Sequence, residues 1–253
     1  DFSDAVYGIE EDGRYVTESR LKKMLTFEGE LIEERLSRVK HPNKLFFSYA
    51  NTVATIDFAK QFKGHGWVGM RYQLDPTEAY NEIILHIRFK ETDSRLQQET
   101  LGILGVNLIY GAFYKYNDPK KLLRYLYDHL DKDQLEIDTI NFSGPRFAEV
   151  DNRLMSLQLV KNGMTDAVMF NPEGKNILPA AILYKKNILA FRGSFRPVTK
   201  VNMDMYENSI KMFLEENKVE KENTQVIFEI TLSNLRSDGE IDERDFMDRA
   251  ELL

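Results

Sequence analysis

The feature that most constrains the fold lies toward the C-terminus, where an apolar run, a glycine-bearing loop, an amphipathic helix and a second β-rich run follow in order. Ile188-Leu189-Ala190-Phe191 has the character of a buried strand. Arg192 to Met205 then reads Arg-Gly-Ser-Phe-Arg-Pro-Val-Thr-Lys-Val-Asn-Met-Asp-Met. Met203, Tyr206, Ile210, Phe213 and Leu214 recur at the helical period, so one helix face is apolar. Thr224 to Leu232 supplies the second strand. This order predicts a β–α–β unit with two adjacent parallel strands and a right-handed crossover. Leu189, Phe191, Val226, Phe228 and Ile230 should be buried in it. The loop of such a unit sits at the carboxyl end of the first strand, where a helix N-terminus offers unpaired N–H groups to anions.

Gly-Ser-Phe-x-Pro-Val-Thr, with Asp204 five residues beyond the Thr, resembles the first loop of the adenylyltransferase group. That group includes the nicotinate-nucleotide and phosphopantetheine adenylyltransferases, whose loop reads Gly-Ser-Phe-Asp-Pro-x-(Thr or His)-x-Gly-His. Gly193, Ser194, Phe195, Pro197, Val198 and Thr199 match without gaps. Arg196 stands where the family has Asp, Val201 where it has Gly, and Asn202 where it has the second His. The resemblance implies that ATP, with Mg, is held by the backbone N–H groups of Gly193, Ser194 and Phe195 and by Thr199. It also implies adenylyl transfer to a phosphorylated cosubstrate such as nicotinate mononucleotide. In the family the second His stabilises charge that develops during transfer. Asn202 donates only a neutral hydrogen bond, and charged bonds are roughly twice as strong. Arg192, Arg196 and Lys200 are therefore the cations expected to replace it.

Ile230-Thr231-Leu232-Ser233-Asn234-Leu235-Arg236 imitates a second family mark, Ile-Ser-x-Thr-x-x-Arg, but follows the second strand directly, so coincidence is the better reading. Asp151 to Asp248 is similar to an uncharacterised bacterial family labelled either nicotinate-nucleotide adenylyltransferase or TonB-dependent receptor. The second label finds no counterpart here, since nothing resembles alternating membrane strands with aromatic girdles. The expected fold combines α+β and α/β parts. An N-terminal mixed α+β layer, residues 1–143, precedes a partial Rossmann-like nucleotidyltransferase α/β unit, residues 144–253, with the boundary at Ser143-Gly144-Pro145. The second strand lies so near Leu253 that a complete nucleotide-binding sheet is not expected: the fold closes differently or the chain is a fragment. Two functions stay open, a nucleotidyltransferase acting on ATP-Mg, or a nucleotide-binding or structural module for regulation or assembly.

Composition narrows the rest. A net charge of −7 argues against a whole-domain nucleic-acid binder. The absence of Cys removes disulfides, thiol nucleophiles and thiolate zinc sites. No apolar run approaches the ~20 residues of a membrane helix. No secretory signal is read at the start of the chain. The expected compartment is the cytoplasm and the expected partner a nucleotide or phosphorylated small molecule, with oligomers allowed.

Along the chain, Ala5 to Val16 is expected as a hairpin turning at Glu11-Asp12-Gly13. Thr17 caps a helix to about Val39, and Leu45 to Phe58, Trp67 to Leu74 and Glu82 to Phe89 are strands. Helices follow from Ser94 to Tyr114 and from Pro119 after an Asp118 cap. Gly102, Gly105 and Gly111 in the first of these suggest close packing against the sheet. Leu135 to Phe142 is a strand, Asp151 caps a helix stopping at Asn162-Gly163, and Ala167 to Phe170 and Ile182 to Tyr184 are further strands.

Lesser candidates remain. Lys63 to Gly69 reads as a glycine-rich loop with His65 and the only Trp, which suits ligand approach or a tight turn equally. His41, His65, His86 and His129 show no metal-binding spacing, and no metal site is expected. Asn234 to Asp245 only faintly echoes a calcium loop, and Asp242, Glu243, Asp245 and Asp248 suit the polar face of a terminal helix. Arg146 and Arg153 flank a helix start that either binds an anion or is capped by Asp151. Tyr184-Lys185-Lys186-Asn187 reads as a hairpin turn.

Overall fold

A computed structural model describes residues 2–8, 15–59, 63–216, 219–236 and 239–253. The chain divides into two compact units, Asp1–Ala167 and Val168–Leu253.

The first unit opens with α1 (Phe2–Tyr7) and α2 (Glu18–Leu36). The hairpin expected over Ala5 to Val16 is not formed: Phe2–Tyr7 is helical, and the turn at Glu11-Asp12-Gly13 lies outside the described residues. Thr17 caps α2 as its sequence demands, its hydroxyl accepting from Arg20 N at 3.1 Å. The helix stops short of Val39, with Ser37 at φ +53°. Arg20 lies over the Tyr7 and Tyr15 rings and donates to Gly8 O, fastening the N-terminal helix to α2.

Four strands, β1 (Phe47–Ala54), β2 (His65–Tyr72), β3 (Asn81–Phe89) and β4 (Leu135–Ser143), form an antiparallel sheet in chain order. Strand alternation separates its faces. Ser48, Gly69 and Arg71 lie under α2: a Cβ on Gly69 would meet Leu21 and Leu25, and Ser48 Oγ donates to Leu25 O at 2.8 Å. The other face carries Tyr49, Met70, Tyr72, Ile83, Leu85 and Ile87. It is covered by α3 (Ser94–Tyr114), whose Phe113 ring meets Phe47 and Tyr72. Asp93 caps α3 by accepting from Arg95 N and Leu96 N. Gly105 is small because Tyr49 of the sheet presses against it, as expected, whereas Gly111 meets Leu122 of the following helix rather than the sheet. Gly102 faces open space, so packing does not explain it.

Then come α4 (Pro119–Tyr125), capped by Asp118, and α5 (Asn152–Lys161), capped by Asp151 and ended at Gly163 with φ +64°. The Asn152 amide accepts from Phe142 N at 2.8 Å and donates to Phe142 O at 3.0 Å, pairing the edge of β4 as a further strand would. This tie places 144–167 with the first unit, so the division falls after Ala167 rather than at Ser143-Gly144-Pro145.

The second unit starts with β5 (Met169–Phe170) and β6 (Asn176–Ile177), a short antiparallel pair, and α6 (Pro179–Leu183). Ile182 and Leu183 are thus helical, not strand, because Pro179 starts a helix. The turn at Lys185, φ +56°, joins a helix to a strand and is no hairpin. Next come β7 (Asn187–Arg192), α7 (Lys200–Glu215) and β8 (Thr224–Glu229), with β7 and β8 parallel in register from Asn187↔Thr224 to Arg192↔Glu229. The expected β–α–β order is present. Its burial is not: Leu189, Phe191, Val226 and Ile230 are half-buried and Phe228 is 40% exposed. Two strands and one helix cannot enclose a sheet. The densest packing of this unit lies instead around Phe195, Leu235, Ile241, Phe246 and Arg249, with α8 (Leu232–Leu235) and α9 (Glu243–Glu251).

Gly66 and Gly102 give opposite expectations. A Cβ on Gly66 would sit 2.5 Å from Thr52 O, so Gly66→Ala should lower stability by about 1–3 kcal/mol. Gly102→Ala fills open space in a helix and should raise stability by about 1 kcal/mol. Urea unfolding midpoints of the two variants check both.

Candidate functional site

Between Gly193 and Asn202 one side chain, Phe195, turns into the core, while Ser194, Arg196, Pro197, Thr199 and Lys200 are exposed. Gly193 N donates to Glu229 O at 3.1 Å, extending the β7–β8 ladder by one bond. Phe195 is buried at φ +44°, its ring folded back so that a Cβ on Gly193 would meet it at 3.1 Å. That contact explains the glycine. The Phe195 ring also meets Phe228 edge-on, beside a cluster of Phe191, Tyr206 and Phe228. Arg196-Pro197 is a cis peptide bond.

Thr199 is the N-cap of α7, and Asn202 completes a capping box with it. Asn202 Oδ1 accepts from Thr199 N and from Thr199 Oγ1, each at 2.8 Å, while Asn202 N donates to Thr199 Oγ1 at 3.3 Å. An amide is well suited to this reciprocal bonding. The side chains expected on phosphate thus bind each other. Arg192 forms a two-pronged contact with Glu229, Nε to Oε2 at 3.0 Å and NH2 to Oε1 at 3.1 Å. Arg196 Nε lies 2.9 Å from Asp245 Oδ1. Lys200 and Ser194 are exposed.

Behind the loop stands a group that sequence pattern alone does not single out. Arg249, on α9, is 2% exposed. Its NH1 donates to Ser194 O at 3.1 Å and to Asn234 O at 3.4 Å, and its NH2 meets Asp245 Oδ2 at 2.5 Å. Asp245 therefore bridges a loop cation and a buried cation. The one signal in the sequence is Asp245 and Arg249 at helical i,i+4 spacing around the apolar Phe246. In the calcium-like segment, Asp242 caps α9 and Asp238 lies outside the described residues. Thr231 caps α8, which gives the Ile230–Arg236 likeness a local explanation.

A second constellation crosses the first unit's sheet. His65 does not sit on a loop: it begins β2. Its Nδ1 is 3.3 Å from His86 Nε2 on β3, and His86 Nδ1 is 2.7 Å from Asp138 Oδ1 on β4. His86 and Asp138 are buried, and the Trp67 ring packs edge-on against His86 at 4.9 Å. Asp138 reaches His86 because the β3–β4 register shifts between His86↔Thr139 and Ile87↔Ile137, leaving Asp138 as a bulge residue. Arg88 Nε lies 2.9 Å from Asp138 Oδ2, but off the direction of a hydrogen bond, so that buried oxygen is not fully satisfied. Burial lowers the His65 pKa below its ordinary 6.5, with His86 and Arg88 adding to the fall and Asp138 opposing it.

The remaining candidates are structural. Arg146 Nε is 2.7 Å from Glu78 Oε2, and Arg153 holds Asp151 while Asp151 caps α5. Two open grooves of about 780 and 400 Å³ lie in the first unit, the larger beside Tyr7, Lys22, Thr26 and Phe27; neither is lined by loop 193–202. No family model, curated protein or solved structure matches the chain, so its chemistry rests on this geometry.

Arg249→Met should loosen the second unit by about 3 kcal/mol, since it strips a buried pair of one member. Arg196→Ala, half-exposed, should cost under about 1 kcal/mol. Amide hydrogen exchange in β7 and β8 reads both. His65 should titrate below 6.5 by NMR, and lower still in Asp138→Asn. Its neutral form then contributes stability in full above 6.5, and that contribution is lost as the pH falls below it.

Proposed function

We propose that the second unit is a nucleotidyltransferase-like β–α–β element whose Gly193–Asn202 loop serves as a structural connection. The unit then acts as a regulatory or assembly module rather than performing adenylyl transfer. The observation that carries this reading is the capping box: Thr199 and Asn202 satisfy each other and the first turn of α7. Arg192 and Arg196, two of the three cations expected to replace the missing His, are engaged by Glu229 and Asp245. Turning either on a phosphate requires giving up a carboxylate. Ile188, Phe228, Met203, Met205 and Met212 leave apolar surface exposed, which suits contact with another protein surface.

A second reading keeps nucleotide binding, with adenylyl transfer from ATP-Mg to a phosphorylated cosubstrate. It is supported by the parallel register of β7 and β8 and by exposed Lys200 at the start of α7, where anions are favoured. Isothermal titration with ATP-Mg, ADP and nicotinate mononucleotide separates the two. The structural reading expects no binding by the wild type and no turnover by Asn202→His. The nucleotide reading expects ATP-Mg binding that Arg196→Ala weakens by about 1.5–3 kcal/mol and Asn202→Ala by only about 0.5–1.5 kcal/mol.

A further inference from the structure

The row Asp138–His86–His65 is independent of the C-terminal loop, and its hydrogen positions follow from its carboxylate end. An ionised carboxylate only accepts, so the contact with Asp138 Oδ1 makes Nδ1 the protonated nitrogen of His86. Neutral His86 then has a bare Nε2, which accepts from His65 Nδ1. His65 is left with its lone pair on Nε2, an atom with no hydrogen-bond partner among the described residues. The ring is half-buried, and Nε2 is not sealed from solvent.

His65 and Arg88 are register partners on adjacent strands, so both side chains leave the same face of the sheet. The Arg88 side chain is 40% exposed and its Nε lies 2.9 Å from Asp138 Oδ2, while a guanidinium carries further N–H donors. A base beside a cation suits an anion that still carries an acidic proton. A phosphate monoester is such a group, since it keeps its last proton to about pH 6.

We propose that His65 and Arg88 form a binding site for a monoprotonated phosphate group, with His65 Nε2 as proton acceptor and His86 and Asp138 as positioning residues. In the step, the ligand O–H bond breaks, its electrons stay on oxygen, and an N–H bond forms at His65 Nε2. The Nδ1 proton of His65 passes to His86 Nε2. His65 becomes neutral again, and the positive charge rests on His86 beside the Asp138 carboxylate. Arg88 meets the charge gained by the phosphate. A carboxylate that holds an imidazole in one tautomer, and stabilises it once charged, supports base chemistry in this way.

Diethyl pyrocarbonate, which acylates bare imidazole nitrogen, tests the site, with exposed His129 as internal reference and peptide mass spectrometry as readout. His65 should be modified in the folded wild type. Millimolar inorganic phosphate should slow His65 but not His129, and Arg88→Met should abolish that protection. In Asp138→Asn, Arg88 draws the amide oxygen toward itself and turns the NH2 group on His86. Both donors reverse, a proton moves to His65 Nε2, and its modification should slow at least about tenfold. Should that variant lose its fold, the wild type and Arg88→Met still decide. An inert His65 beside a reactive His129 would overturn the proposal, as would protection that survives Arg88→Met. Equal slowing of His65 and His129 would mark an adventitious ion only and would overturn it too.

Discussion

A carboxylate buried inside a β-sheet sets the terms for the first unit. Asp138 is 3% exposed, and an isolated charge there would cost far more than the domain's whole stability margin. Its compensation reaches across strands: His86 at hydrogen-bond distance, Arg88 as a close but misaligned cation, and a bulge in β4 that aims the carboxylate at them. Each partner is useful only in this register, because a one-residue slip would send His86 to the apolar face. The capped helices α2 and α3 hold that register from the two faces.

The second unit solves a similar problem at its loop. Arg249 is buried behind the chain turn it supports, and Asp245 shares its charge between Arg249 and Arg196. The resemblance to adenylyltransferases rests on Gly193, Ser194, Phe195, Pro197, Val198 and Thr199. Three of the six have local structural reasons here: the glycine makes room for a ring, the Phe fills a core and the Thr caps a helix. A short motif can therefore be kept by packing as well as by phosphate.

Much of the element order is legible because local chemistry announces it. Thr17, Asp118 and Asp151 cap the helices expected of them, and Ser94 to Tyr114 is helical to the residue. Parallel pairing of β7 with β8 is also readable, since an amphipathic helix links them. Burial in that unit is not, because apolar pattern says which face seeks cover, not whether cover exists. The strand expected at Ile182 to Tyr184 fails because Pro179 starts a helix there. Both charge clusters are hidden in the sequence for another reason. Asp138 and His86 lie far apart along the chain and meet only through register and a bulge, which no single-strand pattern encodes. Arg249 resembles one more charge on a polar helix, although its spacing from Asp245 and the neighbouring Phe246 mark it as inward-facing.

The proposed site requires that Asp138 set the protonation of two histidines in series and leave a bare nitrogen on the second. Long-range proton–nitrogen correlation of the histidine side chains at neutral pH reads this directly. A proton is expected on Nδ1 of both His86 and His65, with Nε2 of His65 showing the shift of an unprotonated ring nitrogen. A proton on Nε2 of His65 with Nδ1 bare would contradict it.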